Sequence, residues 1–142
     1  MKKFSNISTT LSDELKNLVV NKDFLKHLKT SEYDLKDIEE IRTHFINGRC
    51  DSVCRWMSGR FDDVEFYLLY DGSDDYHIFM KQNGLFYDGY NYDGVSNPNQ
   101  LQFIQDHMKG KYNDDEIMQH LYYISTGEYD RDKVKEILHK DI

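Results

Sequence analysis

Two cysteines stand four residues apart in the stretch Asn47-Gly48-Arg49-Cys50-Asp51-Ser52-Val53-Cys54-Arg55-Trp56-Met57-Ser58-Gly59. Asn-Gly is a turn dipeptide. Beyond it, Cys50, Val53, Cys54 and Met57 recur at i, i+3, i+4 and i+7, the repeat of one helix face, and Gly59 ends the run. Cys50 is therefore expected in the first turn of a short helix, just past a tight turn. The unpaired N–H groups and the dipole of that end favour a thiolate over a thiol, which is the form a nucleophile needs. The plainer reading makes Cys50 a small buried hydrophobe, and this stretch alone leaves both open.

The second reactive group lies downstream. Residues 76 to 89 read as a β-hairpin turning at Asn83-Gly84, with His77 on the first strand and Asp88 on the second. A two-residue turn sets Gln82 opposite Leu85, Phe79 opposite Asp88 and His77 opposite Tyr90. Opposed residues share a sheet face, as do residues two apart on one strand. His77, Phe79, Asp88 and Tyr90 are thus expected on one face. His77 and Asp88 become diagonal neighbours, so the carboxylate can orient the imidazole. A three-residue loop would flip the parity and separate them.

This combination resembles the papain-like thiol enzymes, especially their transglutaminase-like and NlpC/P60-like branch. The resemblance rests on Asn47-Gly48-Arg49-Cys50, on the strand from His77 to Lys81, and on Gly84 to Gly89, in the order Cys, His, Asp. It spans roughly residues 47–89. It implies a papain-like core in which a helix opens on the nucleophile Cys50. A strand supplies the base His77, and the next supplies its orienter Asp88. It also implies an oxyanion or cleft-lining role for Asn47, with Tyr90 beside the cleft, and a core-packing role for Cys54. Arg49, Asp51 and Arg55 make the helix more charged than is usual in such enzymes, and the chain is short for a complete one.

Composition bounds the partners. A chain of 142 residues suggests a single domain, 1–142, with one core. Aromatic residues, at 14%, supply large buried area in an otherwise polar chain. The formal net charge of −8 argues against direct nucleic-acid binding, which needs clustered Lys or Arg, and suits a basic partner. No alanine occurs, and Asp, Tyr, Lys and Asn abound, a usage that fits A/T-rich coding as in phages or low-GC bacteria. No apolar h-region follows the N-terminus and no run is long enough for a membrane span. Two cysteines this close suit a metal or a vicinal thiol pair better than a structural disulfide. A cytoplasmic protein is expected, in the host cytoplasm if the chain is phage-encoded. A metal site drawn from His44, Cys50 and Cys54 lacks a completing pair, so no metal and no cofactor is expected.

The surrounding elements follow from periodicity. Residues 11 to 29 read as a helix capped by Ser12, with Leu11, Leu15, Leu18, Val19, Leu25 and Leu28 as its stripe. Residues 33 to 46 read as a second, with Leu35, Ile38, Ile41 and Phe45 inward. Trp56 sits at the edge of the cysteine helix's inner face. Residues 64 to 71 read as a strand apolar enough on both faces to be central. The Asp71–Asp75 run reads as a solvated turn, since it lacks the ligand spacing of a calcium loop. Residues 90 to 95 fit a third strand, a tyrosine rim around a cleft or partner surface, or an irregular loop. Asn97-Pro98, Asn113 and Asp130 each start a helix, the second running through Ile117, Leu121 and Ile124 to Gly127. His107, His120 and His139 read as surface or packing residues. The fold class is α+β: a small antiparallel sheet of three or more strands, packed by an N-terminal helical layer that includes the cysteine helix, with C-terminal helices.

Two functions are carried forward. One is a cysteine-dependent acyl-transfer enzyme acting on a protein or peptide amide or thioester through Cys50, His77 and Asp88. The other is a non-catalytic, acidic inhibitor or adaptor, phage-encoded, that binds a basic or nucleic-acid-binding host protein through an acidic, tyrosine-rich surface.

Overall fold

The computed structural model describes residues 9–28 and 37–142. Its centre is the hairpin of β2 (Tyr76–Gln82) and β3 (Leu85–Tyr87). Asn83 and Gly84 both take positive φ, 51° and 80°, as a two-residue turn that matches strand twist requires. Gln82 pairs with Leu85, Lys81 with Phe86 and Met80 with Tyr87, the register expected from the turn.

Strand β1 (Glu65–Tyr70) pairs antiparallel with β2, setting Leu69 opposite His77 and Tyr67 opposite Phe79. A fourth strand, β4 (Leu121–Thr126), completes an antiparallel sheet in the order β3-β2-β1-β4. Both inner strands are covered on both faces. Phe66, Leu68, Ile78 and Met80 face one apolar cluster, and Leu69 and Phe79 face the other.

The first face carries the N-terminal layer. This comprises α1 (Leu11–Lys16), a 3-10 turn (Asn17–Val20), α2 (Lys22–His27), α3 (Ile38–Ile46) and the cysteine helix α4 (Cys50–Met57). Leu11, Leu15, Phe24, Phe45, Val53 and Met57 are all nearly or fully buried there. The last helix, α7 (Arg131–Leu138), adds Val134 and Leu138 to this cluster. The second face carries α5 (Gln102–His107) and α6 (Asp114–Met118), through Phe103, Ile104 and Ile117. Among the described residues no helix is long and apolar enough to cross a membrane.

Several elements differ from the reading of periodicity. The helix expected over residues 11–29 is two helices. Its cap is Thr10, in a capping box with Asp13, in place of Ser12. Asn21 breaks the run by accepting from the Phe24 N–H and so starting α2. Asp37 caps α3; the part of that prediction before residue 37, Leu35 included, lies outside the described residues, as does Lys29. The helix expected to run from Asn113 to Gly127 stops at Met118, and residues 121–126 form β4. Ile117, Leu121 and Ile124 have helical spacing. Leu121 and Ile124, however, sit on opposite faces of a strand, each against a different cluster. The run Leu-Tyr-Tyr-Ile-Ser-Thr is rich in strand formers, and pairing with β1 decides the matter.

Candidate active site

Cys50 is the first residue of α4, set there by the turn at Asn47 and Gly48, whose φ of 109° is left-handed territory. The N-cap Arg49 provides no side-chain hydrogen bond to the helix end. The first-turn N–H groups, that of Cys50 among them, have no acceptor within the helix. Cys54 lies one turn on, completely buried, and burial pushes its thiol well above the ordinary range, with further negative charge nearby acting the same way.

His77 sits near the start of β2 and is also completely buried. Its Nε2 lies 2.8 Å from Oδ2 of Asp88, which follows β3 and is itself only 2% exposed. The other carboxylate oxygen of Asp88 accepts from the backbone N–H groups of Tyr90 and Asn91, at 2.9 and 2.6 Å. Asp88 is therefore held by its own turn, and its Nε2-facing oxygen fixes the ring. Gly89 is necessary beside it. A Cβ there would stand 2.6 Å from that of Phe45 in α3, and the Gly89 carbonyl accepts from Arg42 at 3.1 Å.

The tautomer follows. With Nε2 donating to Asp88, the neutral ring presents Nδ1 as its base. Nδ1 is buried and has no hydrogen bond of its own. The Cys50 thiol is close enough to raise the ring's pKa. Burial alone pulls that pKa down. The Asp88 hydrogen bond, together with the charge of Asp88 and the influence of the neighbouring Cys50, outweighs burial and lifts it from 6.5 to about 9.

Phe103 of α5 stacks on the His77 ring at 4.7 Å and 18°, and Phe79 stacks on it at 5.6 Å. Phe103 and Cys50 also line a cavity of about 300 Å³, with Ile46 and Tyr76 as further apolar lining. Its exposed lining residues include Asn47, Asp74 and Asp75, and His107 lies beside them. His107 Nε2 is 3.2 Å from the side-chain oxygen of Asn47. With that nitrogen protonated, the amide oxygen of Asn47 accepts and its NH₂ is left to donate elsewhere.

The structure thus brings together Cys50, His77 and Asp88, with Asn47 on the lining of the adjoining cavity. Tyr90, expected opposite His77 in the ladder, lies beyond the end of β3; it packs against the second apolar cluster and does not line the cavity, and its hydroxyl donates to Glu39 at 2.6 Å. The stretch 90–95 is a loop bridged to β3 by the pair Phe86 and Val95, with the Arg42 guanidinium 4.2 Å over the Tyr92 ring. Among the described residues no group of three His, Cys, Asp or Glu side chains is placed to hold a metal ion.

Two sets of residues lie beyond the expected site. Asp51, adjacent to Cys50, accepts from the Tyr129 hydroxyl at 2.7 Å, and both of its carboxylate oxygens accept from the Arg131 Nε, at 3.2 and 3.1 Å. Arg131 also donates to the Ile142 carbonyl. These partners are 78 and 80 residues away, beyond any local pattern. The other set is Phe103 and His107, whose four-residue spacing on one helix face was a usable signal. In comparisons with family models, curated proteins and solved structures, nothing matches this chain.

Proposed function

We propose that the chain is a cysteine-dependent acyl-transfer enzyme built on a core of the papain-like kind, acting on an amide or thioester of a protein or peptide. The observation that carries this reading is the buried His77–Asp88 pair, with the ring's second nitrogen unpaired beside Cys50. A histidine buried for packing alone would be expected to have both ring nitrogens paired, so the unpaired one calls for an explanation.

In this reading the His77 ring already carries, on Nδ1, the proton taken from the thiol when the Cys50 sulfur bonds to the carbonyl carbon. The carbonyl oxygen becomes an oxyanion, met by the Cys50 backbone N–H and by the NH₂ of Asn47 as oriented by His107. His77 then returns the proton to the leaving amine or thiol as the bond to it breaks, leaving a thioester on Cys50. Water resolves it to an acid, or an amine to a new amide, with the same ring moving the proton. Asp88 holds the ring and balances its charge. The raised pKa makes the protonated ring the resting form near neutral pH, which is the form that donates to a leaving group. Cys50 and Cys54 are not joined to each other, and the reading places the activity in a reducing cytoplasm, where a thiol nucleophile persists, the host's if the chain is phage-encoded.

The inhibitor or adaptor reading draws less support. Tyr90 and Tyr92, which were to form its recognition surface, make contacts within the chain to Glu39 and Arg42.

The test is iodoacetamide labelling of each cysteine, read by peptide mass spectrometry. Cys50 labels quickly in the wild type and ~10-fold or more slowly in His77→Ala, while Cys54 stays slow in both. Labelling of Cys50 that ignores His77 would overturn the reading.

A further inference from the structure

We infer that the cavity over Cys50 takes a peptide with a lysine or arginine beside the reacting carbonyl, its cationic group lying against Asp74 and Asp75. This rests on the acyl-transfer reading above and adds the substrate class to it.

The cavity lining is of two kinds. Cys50, Ile46 and Phe103 are buried, and they give it a closed apolar base. Asp74 and Asp75, in the turn between β1 and β2, are exposed and line the same cavity. Its volume of about 300 Å³ is at the low end for small-ligand sites, enough for one extended side chain and the bond to be cleaved. A long aliphatic stem with a charged tip fits such a space, since Lys and Arg bury their stems and keep the head in polar surroundings.

The two carboxylates are not used by the fold. Their neighbour Asp71 is: it accepts from the Ser73 N–H and hydroxyl and from the Tyr112 hydroxyl. Asp74 and Asp75 have no salt-bridge partner among the described residues, and their side chains accept no hydrogen bond there. The other titratable groups on the cavity lining are Cys50, Tyr76 and His107, the last engaged with Asn47. Lys140, whose ammonium lies 5.2 Å from the Tyr76 ring, does not line the cavity.

The cavity also adjoins the pair on which the acyl-transfer reading rests. The unpaired Nδ1 of His77 belongs to a completely buried ring that contacts two of the cavity's own lining residues, Phe103 by stacking and Cys50 by its thiol.

The probes are three chloroacetylated tripeptides that differ only in the residue next to the reactive group: Lys, Gln or Glu. Cys50 displaces chloride from each, and the thioether is read by mass spectrometry. At low salt the Lys peptide is expected to label Cys50 at least ~10-fold faster than the Glu peptide, after correction for their rates with N-acetylcysteine. The ratio should fall toward one in Asp74→Asn/Asp75→Asn, and in high salt, because the carboxylates are exposed. Equal rates for the Lys and Glu peptides, or a preference that survives the double substitution, would overturn this inference. The Gln peptide separates the two failures. If its labelling is fast and depends on His77 while charge makes no difference, the charge selection alone is wrong. If its labelling ignores His77, the acyl-transfer reading is wrong and this inference falls with it.

Discussion

The imidazole of His77 and the carboxylate of Asp88 meet at 2.8 Å across the diagonal of a hairpin, with 0% and 2% of their side chains exposed. The contact follows from turn length. A two-residue turn fixes the pairing of Met80 with Tyr87, and continuing it outward puts Asp88 beside the strand position two residues from His77.

The first prediction concerns the charge on that ring. The folded-state pKa of His77 is raised from 6.5 to about 9, burial being outweighed by Asp88 and Cys50. A raised pKa stabilises the fold wherever the unfolded ring is already protonated, so the full contribution is present below about 6.5. It is lost as pH rises through about 9. Urea denaturation should therefore show unfolding free energy falling between these limits, by on the order of 3 kcal/mol. In Asp88→Asn that fall should nearly vanish, and carbon-13 NMR of the ring should find it neutral at pH 7. A wild-type ring that titrates near 6.5 would sink this prediction.

Local chemistry explains which features were legible. The caps at Asn97, Asn113 and Asp130, the turn at Asn83-Gly84 and the start of α4 at Cys50 are each set by residues within four positions. So is the face of β2 shared by His77 and Phe79, although Asp88, expected on the second strand, lies just past the end of β3. The break at Asn21 and the strand at Leu121–Thr126 were not legible, because competition decides them: a side-chain cap against helix continuation, and a ladder with β1 against a helical stripe. Within the site, Asn47 and Cys50 adjoin in sequence. His107 reaches Asn47 only because α5 covers the second face of the sheet, which no spacing within the chain announces.

The second prediction tests the approach of Asp88's turn to α3. In Gly89→Ala the added Cβ would stand 2.6 Å from the Cβ of Phe45, which is rigid, buried backbone-proximal structure. The expected cost is about 1–3 kcal/mol in chemical denaturation. Because Arg42 also holds the Gly89 carbonyl, the shift should move Asp88 off His77. His77-dependent iodoacetamide labelling of Cys50 should slow along with the loss of stability. A neutral substitution would mean that α3 yields at no cost.

The third prediction concerns the clamp on the first turn of α4. Asp51 joins that turn to Tyr129 and Arg131, and Tyr129 is 8% exposed. Burial, followed by the nearby negative groups, raises the Tyr129 pKa, so its hydroxyl is a donor at any ordinary pH. Asp51→Ala leaves that donor buried and unpaired, at an expected cost of about 1–3 kcal/mol. Tyr129→Phe removes the donor, so the double variant should recover part of the loss. A double-mutant cycle should give a coupling of about 1 kcal/mol. Strict additivity would show that the contact contributes nothing.

The last prediction separates the oxyanion from the nucleophile. Asn47 and His107 are 3.2 Å apart, and neither touches the His77–Asp88 pair. Alkylation by iodoacetamide displaces iodide and forms no oxyanion, so its rate at Cys50 should hardly change in Asn47→Ala or His107→Ala. Acylation by p-nitrophenyl acetate passes through an oxyanion. The burst of p-nitrophenol from Cys50 should slow by ~10²-fold in Asn47→Ala, the usual effect of losing one oxyanion donor. His107→Ala should slow it less, since the amide remains but is no longer oriented, and His107→Gln should restore part of the rate by donating to the same oxygen. If both reagents slow together in these variants, the residues position Cys50 itself. If neither slows, the oxyanion is held without Asn47.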